Sequence, residues 1–196
     1  MDSVSLTAYY CCGVRMDDAE RPHPICGDRY AKVFMNEEGR RVYEPFRKER
    51  YPNGSNVARH RIIDDLLRDR LLEDAARPIL VLGAGFDTRA FRLKGGRWTE
   101  VDEQALITYK NARLPSSGSP NPLERVAVDF TTDWLPGILE RYRGAGRVTI
   151  VIEGVLLYLE PRQITKLLET LHRRVPDHEL ICDLMSKDFF EKYAQP

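Results

Sequence analysis

From Pro78 onward the chain alternates short apolar runs with stretches whose apolar residues recur at helical intervals. Ile79 to Leu82 is wholly apolar and ends at Gly83, the pattern of a strand covered on both faces in a parallel sheet. Trp98 to Val101 ends at Asp102 and leads into helical sequence over Glu103 to Arg113, and Glu124 to Val128 ends at Asp129 and leads into Asp133 to Arg143. Val148 to Ile152 ends at Glu153, Pro161 then opens a helix running over Arg162 to Val175, and Glu179 to Leu184 reads as a fifth strand. Upstream, Ser55 to Ala75 spaces Val57, Ile62, Ile63, Leu66, Leu67 and Leu71 as one helix behind a candidate cap at Ser55. Residues 1–54 scatter turn formers such as Pro22, Pro24, Gly27, Gly39, Pro45 and Pro52 among short apolar groups, so short helices and loops are expected there.

Strands that alternate with helices imply an α/β fold: a doubly wound parallel sheet over 55–196, with a helical and looped N-terminal appendage over 1–54. In such a sheet, ligands bind outside the carboxyl ends of the strands where the strand order reverses. The chemistry should therefore sit at Gly83-Ala84-Gly85, Asp102, Asp129 and Glu153.

Composition narrows the partners. Thirty Lys and Arg balance thirty Asp and Glu, so no net field attracts nucleic acid or an anionic membrane. The Arg40 to Arg50 stretch is interleaved with Glu44 and Glu49 and reads as a solvated face or lid rather than an RNA-binding patch. The most apolar stretch, Val148 to Leu159, is broken by Glu153 and Gly154 and falls short of the roughly 20 residues a membrane span needs. With no secretory pattern at the N-terminus, a soluble cytoplasmic chain is expected. Cys11, Cys12, Cys26 and Cys182 include no C-x-x-C pair, and the four histidines make no ligand spacing, so free thiols and no metal are expected.

The turn Gly83-Ala84-Gly85-Phe86-Asp87-Thr88-Arg89 lets a ligand approach the backbone, but it is not a dinucleotide fingerprint. Thr88 stands where the third glycine would, and Asp87 puts negative charge where a pyrophosphate would sit. A nicotinamide-dependent oxidoreductase is disfavoured accordingly. Asp102 lies 19 residues after Gly83, the spacing at which a carboxylate accepts hydrogen bonds from a ribose diol. Asp129 with Phe130 can meet an adenine edge and face, although a strand-end acid also serves as a simple helix cap. Glu153 interrupts the most apolar run, so it needs a cationic or hydrogen-bonding partner, either a ligand ammonium or a structural arginine. A phosphate-free adenosine that carries positive charge is S-adenosylmethionine.

With these residues in order, the chain resembles the leucine carboxyl methyltransferase family, including a bacterial branch described as polyketide O-methyltransferases. The resemblance runs through Asn56-Val57-Ala58-Arg59, the Leu82 to Arg89 turn, Glu100-Val101-Asp102, Val128-Asp129-Phe130 and Glu153 to Leu159. It implies a Rossmann-like class I methyltransferase. In that assignment Arg59 binds the cofactor carboxylate, Gly83 contacts the cofactor's backbone and Gly85 belongs to the same cofactor-binding turn, Asp102 holds the ribose, Asp129 and Phe130 the adenine, and Glu153 the amino group. The implied reaction is O-methylation of a carboxylate or hydroxyl on a small molecule or peptide terminus. Tyr158 is a candidate for positioning the acceptor, or else packs between helix and sheet. The family's N-terminal lysine has no counterpart, because Ala8 stands at that place. The fold normally continues past the fifth strand with two more, which this chain is expected to lack. Either the sequence is a fragment, or another subunit covers that edge, or the pocket is open and the chain is a non-catalytic cofactor-binding module.

Overall fold

A computed structural model describes residues 3–186 and residue 188. Its centre is a five-stranded sheet of β1 (Pro78–Leu82), β2 (Arg97–Glu103), β3 (Leu123–Val128), β4 (Val148–Ile152) and β5 (His178–Cys182). The strand order is β3-β2-β1-β4-β5 with every neighbouring pair parallel, so the order reverses between β1 and β4. This is the Rossmann-like α/β arrangement expected from the repeated strand-helix unit, with its switch point at the Gly83 turn.

β1 and β4 are buried along their whole length, which is why both read as uninterrupted apolar runs. Their alternate residues serve two cores. Leu80, Leu82, Ile150 and Ile152 pack with Leu135, Ile138 and Leu139 of α6 (Leu135–Glu140) and Leu171 of α7 (Pro161–Arg174). Ile79, Val81 and Val151 pack with Ile63, Leu67 and Leu71 of α3 (Arg50–Glu73) on the other face. A third cluster joins α1 (Ser3–Ala19) and α2 (Glu37–Tyr43) to Phe86 and Leu106, so the N-terminal region is packed onto the strand-end side of the sheet.

The appendage departs from expectation. A single 17-residue helix, α1, occupies a region that the turn formers suggested would hold only short pieces. α3 begins at Arg50, not at Ser55, so the expected boundary at 54/55 falls inside a helix shared by appendage and core. Pro52 is tolerated because the first turn needs no N–H from it. Asn53 is drawn into tertiary bonds, donating to the Phe46 carbonyl at 2.8 Å and accepting from Tyr10 at 2.9 Å. Ile62 and Leu66 point outward, 60% and 38% exposed, while His60 and Asp64 take the inward face.

Downstream the order of elements holds and their lengths shift. The helix after β1, α4 (Arg89–Arg92), is one turn long. α6 is shorter than the Asp133 to Arg143 pattern, and β5 ends at Cys182 rather than Leu184. β2 runs one residue beyond Asp102, which therefore sits within the strand, and α5 (Gln104–Arg113) follows directly. Among the described residues no helix is long and apolar enough to cross a membrane.

Candidate functional site

Gly83 and Gly85 turn the chain off β1 with φ of 66° and 47°, a region that side chains with a Cβ avoid. At Gly83 the space is closed as well, since a Cβ there would lie 2.5 Å from Val155 Cγ2. The turn is tied back to β2 by Gly83 N–H and Ala84 N–H, both donating to the Val101 carbonyl. Above it opens a cavity of about 510 Å³. Its walls come from the strand ends, from α1 through Ala8, Cys11 and Arg15, from α3 through Arg59 and His60, and from the β4–α7 loop through Val155, Tyr158 and Leu159.

Asp102 faces this cavity with 5% of its surface exposed. Its Oδ2 accepts the Gly85 N–H at 2.6 Å and its Oδ1 accepts the Glu103 N–H at 2.8 Å, which fixes the carboxylate while leaving each oxygen a further lone pair. Burial raises its pKa, against the pull of those two amides and of Lys110. Phe130 lines the cavity and meets Trp134 edge-on at 5.3 Å between ring centres, so two aromatic rings that follow β3 form part of its wall.

Asp129 is placed differently. Its carboxylate accepts from the Thr131 N–H at 2.9 Å and from the Thr131 hydroxyl at 2.6 Å, closing a turn on the exposed surface outside the cavity wall. Those two bonds lower its pKa.

Glu153 and Arg59 meet at the opposite end of the cavity. Glu153 Oε1 lies 3.0 Å from Arg59 Nε, and Oε2 lies 2.7 Å from Arg89 Nη2 and 3.2 Å from His60 Nδ1. Burial alone would raise the Glu153 pKa, but Arg89, His60 and Arg59 outweigh it and hold the acid well below the usual range. Both of the partners anticipated for Glu153 are thus compatible with its position: arginines occupy it from behind, and it still contributes to the cavity wall.

The cavity floor is an ion network that extends beyond the residues singled out from the sequence. Arg89 is fully buried and pairs with Asp64 at 2.7 Å, Asp87 at 2.5 Å and Glu153 at 2.7 Å. Asp87 also accepts the Arg89 N–H at 2.6 Å, so the start of α4 is already capped by a carboxylate where a pyrophosphate would have to bind. Arg89 and Asp87 lie within the Gly83 to Arg89 turn, and their signal was their place in it. Asp64 and His60 gave a weaker one, as polar residues four apart on an otherwise apolar helix face. Asp183 gave no such signal, because the fifth strand as read from the sequence runs on to Leu184 and encloses it; in the structure β5 ends at Cys182 and Asp183 follows directly.

Tyr158 lines the cavity from a short 3-10 turn and is 48% exposed, with its pKa raised chiefly by burial of the phenol. Ala8 is at the cavity wall as well, 3.9 Å from where a Gly85 Cβ would be.

The family model for leucine carboxyl methyltransferase matches residues 10–172. Three similar curated proteins carry the name "Putative S-adenosyl-L-methionine-dependent methyltransferase". The one from Streptomyces coelicolor is 28% identical over 190 residues, covering 87% of this chain and 62% of that protein. The one from Mycolicibacterium smegmatis is 31% identical over 174 residues, covering 80% of this chain and 58% of its own. One from Frankia alni is 31% identical over 179 residues, covering 86% and 64% respectively. The chain spans about three fifths of the length of these relatives.

Proposed function

Because the chain belongs to the leucine carboxyl methyltransferase family, we propose that it binds S-adenosyl-L-methionine in the strand-end cavity and methylates an oxygen of a small molecule or peptide terminus. The observation that carries this reading is the convergence, in one cavity, of a buried carboxylate with spare lone pairs at Asp102, an aromatic wall at Phe130 and Trp134, and the Arg59 and Glu153 pair. The donor set suits a nucleoside bearing an amino acid, and the Asp87 cap at α4 disfavours a pyrophosphate.

When bound, the cofactor supplies a methyl group on a sulfonium, already activated for in-line displacement. The chain's own residues bind, orient and exclude water. Asp102 accepts the ribose hydroxyls, Phe130 and Trp134 cover the adenine, and Arg59 and Glu153 take the carboxylate and ammonium of the methionyl end. The ion network beneath the cavity joins the arginines at 15, 59, 89 and 92 to Asp28, Asp64, Asp87, Glu153 and Asp183, which fixes the side chains that face the cavity. A carboxylate acceptor is ionised at neutral pH and needs no base. Tyr158, kept protonated by its raised pKa, can donate a hydrogen bond to such an acceptor at the cavity mouth. The four free cysteines fit the reducing cytoplasm.

Calorimetry with S-adenosylhomocysteine tests the reading. One molecule should bind per chain, and Asp102→Ala should weaken binding by roughly tenfold or more, the worth of a charge-assisted hydrogen bond. A folded sample that does not bind, or an Asp102→Ala variant that binds as the parent does, would overturn it. Transfer of a labelled methyl group to an acceptor would then separate an enzyme from a binding module.

A further inference from the structure

Four of the five strand ends supply residues to the site as described above, and the fifth supplies Asp183, to which nothing has yet been assigned. Asp183 bridges two neighbours. Its Oδ1 accepts the Gly154 N–H at 2.6 Å, and its Oδ2 lies 3.0 Å from Arg59 Nη1. Arg59 is held from its other side by Glu153, 3.0 Å from Nε. The guanidinium is therefore clamped between carboxylates that follow β4 and β5. Its Nη2 passes Gly154 so closely that a Cβ there would stand 3.4 Å away.

The clamp has a reason to exist. A second cavity of about 310 Å³ lies along α3 and β5, lined by Ser55, Ile62, Leu66, Ile181 and Asp183, and it shares Arg59 with the main cavity. Arg59 is thus part of the wall between the two spaces, and its partner Asp183 borders the second. An arginine has the rotamer freedom to swing into either, and freezing it is costly unless a partner fixes the fork.

We propose that Asp183 is a positioning residue that holds the Arg59 guanidinium toward the main cavity, where it receives the carboxylate at the amino acid end of the cofactor. This rests on the cofactor reading given above and adds a specific division of labour to it: Asp183 acts on the methionyl end alone and is indifferent to the nucleoside.

Two ligands separate those ends. S-adenosylhomocysteine carries both, whereas 5′-methylthioadenosine keeps the nucleoside thioether and lacks the amino acid. Asp183→Asn is nearly isosteric and retains an oxygen for the Gly154 N–H while losing the charge toward Arg59. By calorimetry on the full chain, Asp183→Asn should weaken S-adenosylhomocysteine roughly tenfold and leave 5′-methylthioadenosine unchanged, as should Arg59→Gln. The double variant should lose little more than either single one, because the two residues act through one contact. An equal loss for both ligands, no loss for either, or additive losses in the double variant overturns the assignment of Asp183 alone. Parent protein that binds neither ligand overturns the cofactor reading and this assignment with it. If Asp183→Asn does not fold, Arg59→Gln still decides: a loss that is not selective for S-adenosylhomocysteine overturns the proposal.

Discussion

Glu100 on β2 is 1% exposed, with its Oε2 2.7 Å from Lys110 Nζ and 2.9 Å from Arg125 Nε. Two buried cations share one carboxylate, so removing different members has opposite consequences. Lys110→Met leaves a balanced Glu100–Arg125 pair and fills the space with an apolar chain of similar length. Glu100→Gln leaves two cations in the protein interior without the carboxylate they share. Breaking a buried pair from one side costs about 3–5 kcal/mol, whereas apolar replacement of surplus buried charge is often neutral or stabilising. Glu100→Gln should therefore lower the urea midpoint severely, and Lys110→Met should shift it by less than about 1 kcal/mol in either direction. Equal losses in the two variants would show that charge balance does not govern this cluster. A sequence reveals single residues of this kind unevenly. Gly83 and Asp102 stood out because a turn glycine and a strand-end acid occupy positions fixed by local pattern. That Arg89 joins Asp64 to Glu153 did not stand out, because these acids reach it from α3 and from the end of β4, 25 and 64 residues away along the chain.

At the scale of elements, β1 to β5 were legible in order and position because each is a short run holding apolar or β-branched residues with helical sequence or a turn after it, β1 and β4 most plainly, a pattern that needs no knowledge of the rest of the molecule. The long α1 was not legible. Its inward face is made by close approach to a second helix rather than by a clean apolar stripe. A Cβ on Gly13 would lie 2.4 Å from the Tyr43 ring, and one on Gly39 would lie 2.5 Å from the Tyr9 ring. The two glycines thus let α1 and α2 seat an aromatic ring of the partner against each backbone. Glycine within a helix ordinarily costs about 1 kcal/mol relative to alanine, so Gly13→Ala would stabilise an isolated α1. Overpacking against a ring that has no free space costs about 1–3 kcal/mol and should win. Gly13→Ala should then lower the thermal midpoint. It should also weaken S-adenosylhomocysteine binding, since Ala8, Cys11 and Arg15 of the displaced helix line the cavity. A rise in midpoint would mean that Tyr43 moves aside freely and that the helix contact is loose.

For the whole molecule, an unbroken series of ion pairs runs from Arg15 through Asp28, Arg92, Asp64, Arg89, Glu153 and Arg59 to Asp183, joining the appendage, α3, the β1 turn and the ends of β4 and β5. Acid should act on that series in two stages. His60 sits inside it, 1% exposed, with its pKa lowered first by burial and then by Arg89. Below its ordinary value near 6.5, the unfolded chain therefore binds a proton that native His60 refuses. Stability falls with pH from that point until the lower folded value is reached, at up to about 1.4 kcal/mol per pH unit for one proton. The carboxylates come later. Burial opposes their ionisation, but neighbouring cations hold Glu153, Asp64, Asp87 and Asp28 below the ordinary range. Their contribution is complete above that range and is lost as pH drops through it, so a steeper decline should begin below about pH 4.5. His60→Asn should remove the first stage and keep the second. Urea unfolding at half-unit steps from pH 4 to 7 would read this directly: the variant's stability should stay level between pH 6.5 and 5, where the parent declines by about one proton's worth. A parent curve already level over that window would mean that His60 takes up its proton as readily in the fold as out of it.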